Sequence, residues 1–475
     1  MKLEKLNYIL TGFVSNVLGT LAMFLVTIFL TNSVDQQIYG EFRLVFSFIS
    51  IAVIILMLGR DSGLLYYTQN VENNLVNNII SEEAFNTLLT FIFGTFVLFI
   101  FNSFIISYVF NNSVNDVNYF ISLIMIPLWG FFNFCVAGLR SKLFINYSFI
   151  LTNFFQRLLR VPFFILFVYI DKSFFSLAMS MIISQCLLIL IVIKKIPHVI
   201  NFIKINKFSF FKRLSYSLQL GIGSIIYVIL SRIDILMIGN IMSVEDVAIY
   251  DICVLLSFVV WFPYSALVKS SEPIIKSIIN NRELLKKYNF DLKIAIIISS
   301  IIVLIFSLFT TLILSIFGEN YNFGKETLII LSFGYLIINF FASPIEFLNM
   351  SGYVKISVVI LILSLIINIV LNYILINTIG LEGASISTIT SLIFSKTIAL
   401  KYVKKKMNMN LIDFANIYKL IPLFIFISIY LMTKNYLSLF SSLNVFFIKI
   451  IAFISFIIIS YLLNKDDVKL VFNNK

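Results

Sequence analysis

Apolar residues run along this chain in stretches long enough to cross a bilayer, broken by short polar joints. About fourteen follow one another, near 8–30, 42–66, 85–109, 117–139, 147–169, 173–193, 214–240, 247–268, 290–316, 326–349, 354–378, 382–402, 414–433 and 443–463. A hydrocarbon core takes ~20 residues of helix, and in lipid every backbone amide must be bonded within its own helix or a closed barrel. The pattern predicts an all-α polytopic membrane protein of about 14 transmembrane helices.

The stretch 214–240 breaks the apolar rule from within. Ser224, Tyr227, Ser231 and Asp234 recur at steps of three and four, so they share one helical face. Arg232 lies about 200° around the helix from Asp234 and is not its intrahelical partner. Its own face is otherwise apolar, with Ile225, Val228 and Ile229, and it sits within snorkelling reach of the outer interface. The helix is expected to end in a short acidic loop, Ser243-Val244-Glu245-Asp246. A polar stripe on a spanning helix lines a site or a water-filled path, which points to transport.

The pattern also repeats. A shift of 211 residues carries Asp35 onto Asp246 and Tyr39 onto Tyr250, and brings Asn16, Thr20 and Met23 onto Tyr227, Ser231 and Asp234. A shift of 209 carries Ser148 onto Ser357, Asp171 onto Gly380 and Lys195 onto Lys404. The expected organisation is an N-terminal six-helix lobe, 1–193, a basic cytoplasmic linker, 194–213, and a second six-helix lobe, 214–406. Two additional helices and a cytoplasmic tail follow in 407–475. Both lobes start on the same side, so the repeat is parallel, and a two-lobed bundle suits alternating access.

Composition agrees: 60% of residues are hydrophobic and 12% charged, which excludes a soluble domain. The net charge of +12 does not imply nucleic acid, because the basic residues gather in loops on one side. The opposite side receives little beyond Arg43, Lys172, Lys325 and Lys434. The positive-inside rule then places both termini in the cytoplasm, and the short opposite loops leave no room for an extracytoplasmic domain. No cleavable signal peptide is expected, since Met1-Lys2-Leu3-Glu4-Lys5 leads into a full-length span. Cys135, Cys186 and Cys253 lie in apolar segments without metal or disulfide spacing, and the single histidine is His198 in a basic loop. No metal site and no cofactor is expected.

Candidate chemistry centres on Arg157 and Arg160, three residues apart near the middle of span 5, with Asn146, Asn153 and Gln156 on or beside their face. An arginine at the centre of a spanning helix costs roughly 2.5–3.5 kcal/mol on insertion scales, so two together call for a polar environment. The plainer alternative is that they tie helices together through carbonyls. Arg60 and Asp61, near the cytoplasmic end of span 2, either mark the interface or join the working set. Glu346 continues a stripe with Asn339 and Ser343 in span 10. Asp234 and Glu346 are the candidate ion-coupling carboxylates. Ser364, Asn368 and Asn372, at steps of four, give span 11 a neutral polar face suited to sugar hydroxyls or to helix packing.

The segment SRIDILMIGNIMSVEDVAIYDICVLLSFVV resembles spans seven and eight of polysaccharide flippases, on the O-antigen and capsule repeat-unit branch of the multidrug/oligosaccharidyl-lipid/polysaccharide exporter superfamily. LIINIVLNYILINTIGLEGASISTITS, with Asn368, Asn372, Gly380, Gly383 and Ala384, resembles that family's signature across spans 11 and 12. Proline usually precedes the first glycine of this signature; here the chain reads Asn377-Thr378-Ile379-Gly380, a drift within a turn. The resemblance implies a non-enzymatic flippase of the bacterial cytoplasmic membrane. It would carry a prenyl-pyrophosphate-linked oligosaccharide from the inner to the outer leaflet, with Arg157, Arg160, Arg232, Asp234, Asn153, Tyr227, Ser231, Asn368 and Asn372 as candidate substrate residues. Implied partners are the lipid-linked oligosaccharide, membrane lipid, a coupling proton or sodium ion, and a polysaccharide polymerase with its glycosyltransferases. A cation-coupled multidrug antiporter of the same superfamily is the alternative. A membrane glycosyltransferase or polymerase is disfavoured, because the longest loops, near 194–213 and 269–293, are basic and carry no catalytic motif.

Overall fold

A computed structural model describes residues 2–69, 71–200 and 207–411. The expected spans 414–433 and 443–463, and with them the additional C-terminal pair, lie outside the described residues. Among the described residues there are no strands. Among the described residues eleven helices are long and apolar enough to cross a membrane, and twelve when a bent pair counts as one span. We label these α1 (Val14–Ser33), α2 (Gln36–Tyr67), α3 (Leu75–Ile100), α4 (Asp116–Ser141), α5 (Ile145–Ile170) and α6 (Phe174–Lys195). They continue as α7 (Arg213–Ile241), α8 (Val244–Ser271), α9 (Arg282–Ser315), the bent α10 (Glu319–Asn339 with Pro344–Met350), α11 (Val354–Ile379) and α12 (Leu381–Met407). Each answers to one of the first twelve apolar stretches, because hydrocarbon demands the same local continuity that the pattern displays.

The chain clusters into two compact units. One holds the described residues up to Cys253 with Leu314–Thr327 and Lys355–Ser391; the other holds Val254–Ile313, Leu328–Val354 and the described residues from Leu392 onward. Small polar side chains fill the helix contacts: Ser47, Ser148, Ser180, Ser184, Ser364 and Ser391 are completely buried. With no hydrophobic drive between helices in lipid, close backbone approach and short hydrogen bonds supply the packing.

Several helices depart from the expected outline. α2 begins at Gln36, so Arg43 lies inside a span and not in an outer loop. The same helix breaks between Met57 and Arg60, where Leu58 and Gly59 take left-handed φ of 53° and 69°. A Cβ at Gly59 would overlap the Ser217 carbonyl of α7, so the break lets two backbones cross in contact. Just past it, Arg60 is 1% exposed. It donates to Glu83 of α3 at 2.8 Å, and Arg213 at the start of α7 reaches Glu83 at 2.9 Å and also Glu82. Carboxylates that the sequence leaves unassigned on span 3 thus hold three helix ends together.

The third span ends at Ile100 and not near residue 109. Asn102 and Ser103 follow, Asn102 turns its amide onto the Phe99 carbonyl at 3.0 Å, and a π-helical turn covers Ile105–Val109. Local side-chain bonding of this kind competes with the regular ladder. The expected acidic loop at 243–246 is the first turn of α8. Ser243 accepts from the Asp246 amide at 3.2 Å and donates to its carboxylate at 2.8 Å, a capping arrangement in which the acids also face the positive end of the helix dipole. The tenth span is two helices bent by 46° across residues 340–343. Pro344 disfavours helix in the residue before it, and Ala342 takes φ 53°. The Ala342 carbonyl is satisfied by the Tyr264 hydroxyl.

Candidate functional site

In the first unit, three arginines lie against one pair of stacked rings and a fourth, Arg157, is near one of them. Phe46 of α2 stacks on Trp129 of α4, with centroids 4.9 Å apart and planes 27° apart. The guanidinium carbons of Arg43 and Arg232 lie 5.3 Å and 6.0 Å from the Phe46 centroid, and that of Arg160 lies 5.9 Å from Trp129. Arg157 and Arg43 are both within electrostatic reach of Arg160. Ring faces attract cations by about 0.5–2 kcal/mol, which holds guanidinium groups close without neutralising them.

Of these four, only Arg43 forms an ion pair among the described residues, and the same carboxylate, Asp251, also acts on Arg232 at longer range. Its Nη2 meets Asp251 Oδ1 at 2.5 Å, and Tyr39 donates its phenol to the other oxygen at 3.0 Å. Among the described residues Arg157, Arg160 and Arg232 make no ion pair. Arg157 Nη1 donates to Thr20 of α1 at 2.6 Å and to the Asn16 carbonyl at 3.5 Å. Arg160 is 7% exposed and its Nε has no partner. Guanidinium does not lose its proton in proteins, so the cluster carries three positive charges without an ion pair among the described residues, with Asp251 acting on Arg232 only at longer range. Taking charges out of water costs several kcal/mol per ion, and such an arrangement is suited to meet an anion.

The helix that presents two of these arginines is not regular. A π-helical segment, Ile150–Phe155, lies immediately before Gln156 and Arg157 and turns the following residues relative to a continuous α-helix. Its backbone is pressed onto α1: a Cβ at Gly19 would overlap the Asn153 carbonyl oxygen. Asn153 therefore meets α1 through its main chain. This contact sets the height at which Arg157 reaches Thr20.

The stripe expected on α7 does not stay together. Ser224, Tyr227 and Ser231 are exposed, whereas Asp234 is 5% exposed. Asp234 is covered by α8, α11 and α12. It receives Asn372 Nδ2 at 2.6 Å, the Tyr250 hydroxyl at 3.2 Å and the Thr388 hydroxyl, while Asn372 also donates to Asn368 Oδ1 at 3.1 Å. Asn372 Oδ1 is buried without a partner, and the Asn368 amide also lies within hydrogen-bonding influence of Asp234. Asn368 and Asn372 thus turn toward a carboxylate inside the bundle. Arg232, on the other side of α7, goes to the aromatic pair. The structure brings Arg157, Arg160 and Arg232 into one cluster and Asp234, Asn368 and Asn372 into another. Ser231 turns its hydroxyl back onto the Val228 carbonyl at 2.8 Å, and Tyr227 stays on the exposed face within electrostatic reach of Arg232.

Glu346 belongs to the second unit, beyond the bend of α10. Lys396 Nζ lies 3.9 Å from it and donates to the Tyr264 hydroxyl at 3.0 Å. Its expected stripe mates are engaged elsewhere: Ser343 with Tyr288 at 2.8 Å, and Asn339 with Ser299 at 3.0 Å. Among the described residues no three His, Cys, Asp or Glu side chains are grouped to hold a metal.

The sequence reading passes over Asp251, Phe46 and Trp129, and takes Arg43 for a loop cation on the outer side. Asp251 carried a signal, an acid five residues into apolar helix beyond Asp246. The two rings carried none, because aromatic residues are abundant along the whole chain.

The MatE family profile matches residues 220–374. Among curated proteins no sequence match is found. Among solved structures, the lipid II flippase MurJ in an inward-closed conformation is similar at TM-score 0.72 and 16% identity, over 98% of this chain and 100% of that one. A multidrug resistance MATE family transporter of the MOP superfamily, inward-facing, is similar at TM-score 0.63 and 12% identity, over 84% of this chain and 98% of that one. The MATE multidrug transporter DinF-BH follows at TM-score 0.60 and 15% identity, over 85% of this chain and 95% of that one. At these identities the likeness is one of fold. The polysaccharide biosynthesis protein profile matches residues 7–268 of the 475, and the chain belongs to that family.

Proposed function

We propose that this protein is a flippase that moves a prenyl-pyrophosphate-linked oligosaccharide from the inner to the outer leaflet of the bacterial cytoplasmic membrane by alternating access. The observation that carries the reading is the group Arg157, Arg160 and Arg232, intramembrane cations without an ion pair among the described residues, with Arg160 and Arg232 against the Phe46–Trp129 stack and Arg157 beside Arg160. The prenyl tail stays in lipid while the pyrophosphate must leave water. Guanidinium forks bind phosphate oxygens in pairs and keep their charge in a dry site. Lipid II, named for the MurJ structure, is cargo of that protein; the likeness supports a lipid-linked headgroup here through fold alone. The alternating motion rests on the parallel repeat of 1–193 and 214–406, and the inward orientation of both termini on loop charge. No covalent chemistry is assigned to the protein. O-antigen or capsule units are the cargo class that the family resemblance supports, with a polymerase and glycosyltransferases as partners.

The test is export of the repeat unit per folded molecule. Arg157→Ala with Arg160→Ala should lose export by at least about tenfold at normal abundance, and Arg→Lys at either position should be intermediate, since charge remains and the fork is lost. Unchanged export per molecule in the double variant overturns the reading.

A second reading, a cation-coupled multidrug antiporter, is favoured by one observation. Asp234 is a buried carboxylate surrounded by neutral donors, with Asn368 beside it, a setting able to exchange a proton or sodium ion. The two readings share that residue. They differ in the arginines, which an exporter of cationic drugs would not place in its path.

A further inference from the structure

Behind Trp129 lies a small cavity in the first unit, about 10 Å³, room for a single water-sized species. Its walls are mostly apolar, with Met125, Leu128 and Met181 beside the indole. Two polar side chains reach it, Arg160 from α5 and Gln185 from α6. Both are more than nine-tenths buried, at 7% and 5% exposed. Arg160 Nε and Gln185 Nε2 are closed off from solvent with no partner, while Gln185 Oε1 is already taken by Gln156 Nε2 at 3.4 Å. The site therefore offers donors only, next to a full positive charge.

We infer that this cavity binds one monovalent halide, chloride in the cell, as the counter-ion of Arg160. A buried guanidinium cannot shed its proton, and among the described residues it has no carboxylate partner. Two N–H donors with no acceptor leave two orphaned groups, each of which carries its full desolvation penalty. A water would satisfy the donors and leave the charge. A phosphate has too many heavy atoms for the space. A bare halide meets both demands, and the apolar walls suit an ion that sheds water readily. The inference does not depend on what the protein transports, and it leaves the terminal nitrogens of Arg160 for the cargo.

Trp129 makes the site readable, because the chain has two tryptophans. In the full-length protein carrying Trp261→Phe, in micelles at constant ionic strength with gluconate as the balancing anion, bromide should quench Trp129 fluorescence along a saturating curve. Chloride should shift that curve to higher bromide. Gln185→Leu removes one donor and should weaken bromide binding roughly tenfold or more. Gln185→Glu places a carboxylate beside Arg160 and should abolish saturable quenching while the protein stays folded. Linear quenching that chloride does not alter, or saturable quenching that survives in Gln185→Glu, overturns the inference. Neither outcome bears on the export test of the arginines, which reads transport per folded molecule and not halide quenching.

Discussion

Arg43 of α2 and Asp251 of α8 form an ion pair at 2.5 Å across 208 residues of chain. The pair closes the first unit beside the aromatic stack, and Tyr39 donates to the same carboxylate. Asp251 is nearly fully buried. Removing one member of such a pair strands the other. Asp251→Asn should therefore cost about 3–5 kcal/mol in unfolding free energy, whereas replacing both partners by leucine should recover most of it. Tyr39→Phe should cost about 1 kcal/mol. Denaturant unfolding in micelles checks this, and an Asp251→Asn protein as stable as the parent would refute it.

The coupling role rests on two carboxylates in different settings. Asp234 is held by Tyr250, Asn372 and Thr388, and Glu346 stands 3.9 Å from Lys396. Asp234→Asn should abolish the response of transport to an imposed proton or sodium gradient. Glu346→Gln should do so only if Glu346, not Asp234, binds the ion. Equal gradient dependence in parent and both variants removes both from coupling.

Steric predictions follow from two glycines. Gly59 combines a left-handed φ with contact against the Ser217 carbonyl. Gly352 has a left-handed φ and open space around the missing Cβ. Gly59→Ala must push α2 from α7 and should sharply lower the yield of folded protein. Gly352→Ala should cost only the backbone strain, about 1 kcal/mol. Comparable yields of folded protein from the two variants would show that the α2–α7 crossing is looser than drawn.

Topology is testable in a background with Cys135, Cys186 and Cys253 replaced. A cysteine at Glu245, in the first turn of α8, should react with an impermeant thiol reagent added outside intact cells. One at Lys405, at the end of α12, should not. The opposite labelling would invert the orientation.

Hydropathy alone located the first twelve spans, because exclusion of polar groups from hydrocarbon acts residue by residue along one helix. The positions of Arg157 and Arg160 near the middle of span 5 were legible for the same reason. The breaks at Leu58–Gly59 and at 340–343 were not. A turn of left-handed backbone inside an apolar run leaves the hydropathy unchanged; at Gly59 it serves the close approach of α7, and at Ala342 the Tyr264 hydroxyl takes up the freed carbonyl.

By itself the sequence determined that the chain is a bundle of membrane helices, which helix carries each charge, and which family its motifs resemble. Those properties are local: composition, spacing and helical angle are complete within one segment. Only the tertiary structure decided what each charge meets. Periodicity puts Tyr227, Ser231 and Asp234 on one face of α7, yet neighbours cover only the Asp234 end, so one residue is sealed in a polar nest while the others stay exposed. Arg43 read as an outer-loop cation until Asp251 was brought to it from the eighth helix. Phe46 and Trp129 became the floor of a cationic cluster because α2, α4, α5 and α7 converge there. Helical angle is fixed by the chain, but the partner across the interface is chosen by packing, where the large desolvation cost of charge selects the arrangement that pairs, stacks or hydrates it.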